Sequence, residues 1–134
     1  MKVVFDTNVL VSAFIAEGVC SKLLGRARRR HFQLVACPFI LKEFETVLLE
    51  KLSATRPEAK EALSILSEAL DAIVEPSEEI SGICRDPDDD HILSCSAAAD
   101  ADYLVTGDSD LLNIRQFRGT QILNPRDFEL MMEG

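Results

Sequence analysis

The chain has 134 residues, 47% of them apolar and 28% charged, with a formal net charge of −9. That length fits one domain, residues 1–134, and the composition is that of a soluble globular protein able to bury a core without disulfides or a structural metal. The acidic balance argues against binding nucleic acid through a broad basic surface, and no stretch approaches the roughly 20 apolar residues of a membrane span.

Residues 2–5 form a short β-branched apolar run and predict a buried strand. The run is too short for a signal peptide and meets Asp6 at once, so a cytoplasmic location is expected, with no membrane partner. Helices are predicted over 8–16 and 19–30, the second ending in the basic run Arg26, Arg28, Arg29, Arg30 and His31. Such a run is ordinarily a solvated helix end; the alternative is a contact with RNA phosphates or an acidic partner segment. A strand follows at 32–36. Pro38 fits the first position of a helix to about residue 52, and Pro57 opens another over 58–72 with Leu63, Leu66 and Leu70 at helical spacing. A short strand at 73–75 is next. Asp86-Pro87 starts a helix reaching residue 99, then come a strand at 103–106, a short helix at 108–112, a strand at 121–123 and a helix from Pro125 to about residue 132. Short strands alternating with helices imply crossover connections, hence an α/β fold around a parallel sheet. Ligands in such sheets collect at the carboxyl ends of the strands.

Carboxylates fall at those ends. Asp6 directly follows the first strand, and Asp108 stands in the same relation to the strand Tyr103-Leu104-Val105, across the Thr106-Gly107 turn. In the helix after Pro87, Asp90 shares a face with Leu93 and Ala97, whereas Asp88 and Asp89 point elsewhere. An acid aligned with a core-facing stripe is unusual unless paired or metal-bound. Glu43 flanks the buried face of the Pro38 helix, but so does Glu50, and Glu45 borders the other side, so periodicity does not choose among them. Converging carboxylates repel one another, and hard divalent cations relieve that repulsion. Each acid also has an ordinary reading. Asp6, Asp86, Asp88, Asp89 and Asp110 suit helix caps or first turns, and Asp90 could be a solvated first-turn acid. His31 and His91 read as surface residues. Cys20, Cys37, Cys84 and Cys95 show no zinc-site spacing and read as small hydrophobes in a reducing compartment.

The segments VVFDTNVLVSAF, PFILKEFETVL, CRDPDDDHILSCSAAADADYLVTGDSDLL and ILNPRDFELMM, in that order and spacing, resemble the PIN-domain family, and specifically its prokaryotic VapC-like members regarded as toxins of toxin–antitoxin pairs. The resemblance implies a three-layer α/β/α sandwich with a central parallel sheet of four to five strands. It implies a Mg²⁺- or Mn²⁺-dependent ribonuclease. By position, the family's acidic set falls on Asp6, Glu43, Asp90 and Asp108 as catalytic and metal-holding residues, with Asn8, Thr106 and Asp110 in support. The substrate expected is RNA. For a toxin, an antitoxin segment near the site is the expected partner, and the Leu63-Leu66-Leu70 face could either pair two copies as a homodimer or pack into the core. The rival reading is a non-catalytic PIN-like module acting through a protein partner. A phosphatase with Asp6 as nucleophile is disfavoured, because Asn8 stands where the haloacid dehalogenase type carries a second Asp.

Overall fold

All 134 residues are described by the computed structural model, in which the strands form one six-stranded sheet. In chain order the elements are β1 (Lys2–Phe5), α1 (Thr7–Ile15), α2 (Val19–Arg28), β2 (Gln33–Ala36), α3 (Pro38–Thr46) and a π-helical turn (Val47–Lys51). These are followed by α4 (Arg56–Ala69), β3 (Leu70–Ile73), α5 (Pro87–Ala98), β4 (Tyr103–Val105), α6 (Ser109–Ile114), β5 (Gln116–Phe117), β6 (Thr120–Leu123) and α7 (Pro125–Glu133). The strand order is β3-β2-β1-β4-β6-β5. Five strands run parallel, as expected of an α/β sandwich, and β5 pairs antiparallel with β6. This sixth strand was not anticipated. Its two-residue turn, Arg118-Gly119, places both residues at positive φ (47° and 84°), a hairpin geometry usually announced by Asn-Gly or Asp-Gly.

Two other boundaries differ from expectation. Helix α4 ends at Ala69, so β3 occupies Leu70–Ile73 rather than residues 73–75. The Pro38 helix widens at Val47–Lys51, where the amide of Leu52 donates to the carbonyl of Val47 at 3.1 Å, a π-type bond.

The crossovers place the layers. From β1 through β2 to β3 the chain moves one way across the sheet; from β3 to β4 and β6 it moves the other way. Right-handed connections therefore put α1 to α4 on one face and α5 and α6 on the opposite face. Helix α7 returns to pack on α2. Between the layers, Phe5, Phe32 and Phe128 form a chain of ring contacts with centroids 5.8 and 5.4 Å apart. Leu66 is fully buried, and Leu63 and Leu70, only partly buried, pack against the same core, so the leucine face is turned inward. The cysteines are free, with Cys37 and Cys95 fully buried. No single helix is long and apolar enough to cross a membrane.

The basic run is partly consumed by the fold. Arg26 forks onto Glu129 at 2.6 and 2.7 Å. Arg30 holds Asp71 and the carbonyls of Glu68 and Ala69. The run leads into the amino end of β2 and so lies at the opposite edge of the sheet from the strand carboxyl ends.

Candidate active site

The sheet reverses its winding between β1 and β4, and both strands deliver polar residues there. Asp6 directly follows β1 and is buried; Thr106 directly follows β4 and is fully buried. The Thr106 hydroxyl donates to Asp6 Oδ2 at 2.7 Å and in turn accepts from the amide of Asp108 at 3.0 Å. One threonine thus ties together the two strand-end acids. Asp108 also caps α6, its Oδ1 accepting from the amides of Asp110 and Leu111. On the facing wall, Thr7 at the start of α1 donates to Glu43 Oε1 at 2.7 Å.

These groups open onto a cleft of about 210 Å³ lined by Asp6, Asn8, Glu43, Asp89 and Asp108, with Asp86 and Asp88 at its rim. Asn8 is exposed to it. Asp86 acts as the cap of α5, its Oδ1 accepting from the amide of Asp88 at 2.9 Å. Ligand oxygens of Asp89, Asp108 and Asp110 all lie within 4.8 Å of one another. Asp110 is engaged by Arg85, whose Nη2 and Nε donate to it at 2.7 and 3.2 Å.

Asp90 is not brought to this group. Its carboxylate turns the other way and accepts from the amides of Gly82, at 3.1 Å, and Cys84, at 2.9 Å. With Ser94, which accepts from the Ile80 amide at 3.3 Å, it fastens the 74–86 connection to α5. The acid that α5 contributes to the cleft is its neighbour, Asp89. The physical reason is that α5 is buried on two sides: Asp89, Ile92 and Ser96 follow one face, Asp90, Leu93 and Ser94 another, and all six are buried. Alignment with an apolar stripe therefore does not single out one acid. Thr7 was also missed; a threonine at the first position of a helix carries no sequence signal for reaching a glutamate 36 residues away.

Electrostatics mark the cleft as strained. Burial pushes the Asp89 carboxyl up to about 7, and the charges of Asp108 and Asp6 add to the shift. Asp6 is raised by burial, against which the Thr106 hydrogen bond works, while Asp108 pushes further up. Glu43 is raised by burial in the same way, opposed by Thr7 and reinforced by Asp88 and Asp6. No salt bridge neutralises Asp6, Glu43, Asp89 or Asp108. The donors are all oxygen, without sulfur or imidazole, a set that suits a hard divalent cation.

The sequence profile of the PIN domain matches residues 2–110, and the chain belongs to the PIN domain family. It is 32% identical over 119 residues to an uncharacterized protein, MJ1680, of Methanocaldococcus jannaschii, covering 86% of this chain and 76% of that one. Among solved structures, VapBC2 from Rickettsia felis, bound to a DNA fragment from its promoter, shares the fold with a TM-score of 0.65 at 17% identity, over 92% of this chain and 98% of that one.

Proposed function

We propose that this chain is an endoribonuclease that hydrolyses RNA phosphodiester bonds with the help of Mg²⁺ or Mn²⁺, and that it acts in the cytoplasm as the toxin of a toxin–antitoxin pair. The observation that carries this reading is the convergence of Asp6, Glu43, Asp89 and Asp108 on one open cleft without a paired cationic side chain. Asp6, Asp89 and Asp108 would hold the ion. When bound, it neutralises their repulsion, polarises the phosphodiester and favours ionisation of a water.

The chain's own residues supply the rest. Thr106 holds Asp6 in place, and the Asp108 cap fixes the turn after β4. Glu43 stands across the cleft with one oxygen held by Thr7, leaving the second uncommitted to accept the proton of the attacking water. Its raised pKa makes it a better base than an ordinary glutamate. Asn8 lines the same wall, where its amide can donate to a phosphate oxygen. Asp90 belongs to the scaffold, not to the chemistry. The toxin assignment draws on membership of the PIN family and on the fold shared with a VapBC2 assembly.

The test is cleavage of RNA by the purified protein with Mn²⁺ and with chelator. Asp6→Asn and Asp89→Asn should each lower cleavage by at least about 100-fold, the scale of losing a group that stabilises the transition state. Asp90→Asn should retain cleavage per folded molecule. Equal activity of wild type and both cleft variants would overturn the assignment. A toxin role further requires that the product of an adjacent reading frame co-purify with the chain and suppress cleavage.

A further inference from the structure

Beside the acidic cleft lies a second hollow of about 380 Å³ that continues it. The two share Glu43, Val47, Lys51 and Asp88 as common wall, and the far side of the second adds Phe39 and Lys42. Three features of this hollow have no role in the reading above. First, Lys42 and Lys51 are exposed and make no ion pair, although Glu43 and Asp88 line the same hollow; five other cations of this acidic chain, Lys22, Arg26, Arg30, Arg85 and Arg118, are paired. Second, Phe39 is only partly buried and its ring is held by stacking on His91, with centroids 4.4 Å apart and planes inclined by 23°. Third, the π-helical turn aligns the lysine with the cleft. Eight residues along a regular α-helix, Lys51 would be rotated about 80° from Glu43. The wider turn at Val47–Lys51 advances fewer degrees per residue and removes much of that offset.

We infer that this hollow is a nucleotide subsite for single-stranded RNA, in which Lys42 and Lys51 hold a backbone phosphate next to the scissile bond and the Phe39 ring, braced by His91, stacks on a base. The inference rests on the ribonuclease reading, which it deepens by assigning Phe39, Lys42 and Lys51 to one nucleotide beside the scissile bond. An aromatic face flanked by free cations recognises unpaired bases without regard to sequence, and a base inside a duplex cannot reach a ring set in a hollow. Other cations of the chain are also without an ion pair, but Lys42 and Lys51 line the hollow that continues the acidic cleft, where a phosphate beside the scissile bond would lie.

The experiment uses the full chain and a fluorescein-labelled single-stranded RNA of about 12 nucleotides, within the range of known single-strand sites. Fluorescence anisotropy with Ca²⁺ present is measured over a salt series, alongside kcat and KM for cleavage with Mn²⁺. The Lys42→Ala/Lys51→Ala double variant should bind about tenfold more weakly. It should also flatten the slope of log affinity against log salt by about 1.4, two phosphate contacts on a single strand. Lys42→Arg/Lys51→Arg should keep the wild-type slope. Phe39→Leu should weaken binding at least about fivefold while leaving the slope unchanged, and it should not alter binding of a duplex of the same sequence. The losses should fall on KM more than on kcat. Unchanged affinity and slope in the double variant of an enzyme that cleaves would overturn the subsite alone. Lysine-dependent single-strand binding by a chain that cleaves nothing would support the subsite and overturn the ribonuclease reading.

Discussion

Neighbouring aspartates on one helix do opposite work. Asp89 is buried among like charges and has its carboxyl pushed up to about 7, whereas Asp90 is buried against two amide donors. For Asp89 the sign of the linkage is unfavourable to the charged form. An unfolded aspartate loses its proton near pH 4, but the folded one keeps it until about 7. The folded state therefore binds more protons across that window, and its stability falls as pH rises through it. Asp6 and Glu43, also raised, act in the same direction. The acids held low, Glu58, Glu78 and Glu129, act only in the more acidic range below. In chelator, the melting temperature should drop between pH 5 and pH 8, and Asp89→Asn should flatten that profile in differential scanning fluorimetry. A profile equally steep in the variant would place the strain elsewhere. For Asp90 the expectation is reversed. Asp90→Ala strands two amides and should destabilise by about 2–3 kcal/mol, and amide exchange at Gly82 and Cys84 should accelerate.

At the scale of elements, strand ends were legible and helix faces were not. A buried β-run that ends in Asp, at once for Asp6 and across the Thr106-Gly107 turn for Asp108, leaves little choice, which is why both fall where the sequence puts them. Helix α5 defeats the same logic, because a helix buried on two sides offers two acids with an equal claim. The short strand β5 was invisible because two residues carry no periodicity. The π-helical turn was invisible because its residues, VLLEK, read as ordinary helix. The proline that opens α4 was legible, but its cap was not read. Thr55 and Glu58 exchange hydrogen bonds at the start of α4, at 3.2 and 2.9 Å, and Pro57 sits in the first turn. Thr55→Ala should cost about 1 kcal/mol, visible as a loss of about 4 °C in melting temperature for a domain of this size.

For the whole molecule, charge and function have to be reconciled. A chain at −9 should repel RNA. The basic run does not solve this, since two of its arginines serve the fold and it lies at the far edge of the sheet. On the ribonuclease reading, a cation held in the cleft would change the balance beside Lys42 and Lys51. RNA binding should therefore depend on divalent metal, with affinity at least about tenfold weaker in chelator than with Ca²⁺ at the same ionic strength. Affinity indifferent to chelator would mean that the strand follows another path across the surface.

The pairing of Arg85 with Asp110 bears on stoichiometry. Asp110 lies close enough to Asp89 and Asp108 to join them around an ion, yet its charge already has a tethered counterion. The arginine side chain is largely exposed, so this counterion can leave without unfolding anything. On the proposed reading, Asp6, Asp89 and Asp108, which have no cationic partner, would hold one cation, and recruiting Asp110, whose oxygen lies within 4.8 Å of those of Asp89 and Asp108, would require displacing the Arg85 guanidinium. Calorimetric titration with Mn²⁺ should count one tight site in the wild type. Arg85→Ala should reveal a second, so that a single exposed arginine sets the number of ions the protein holds.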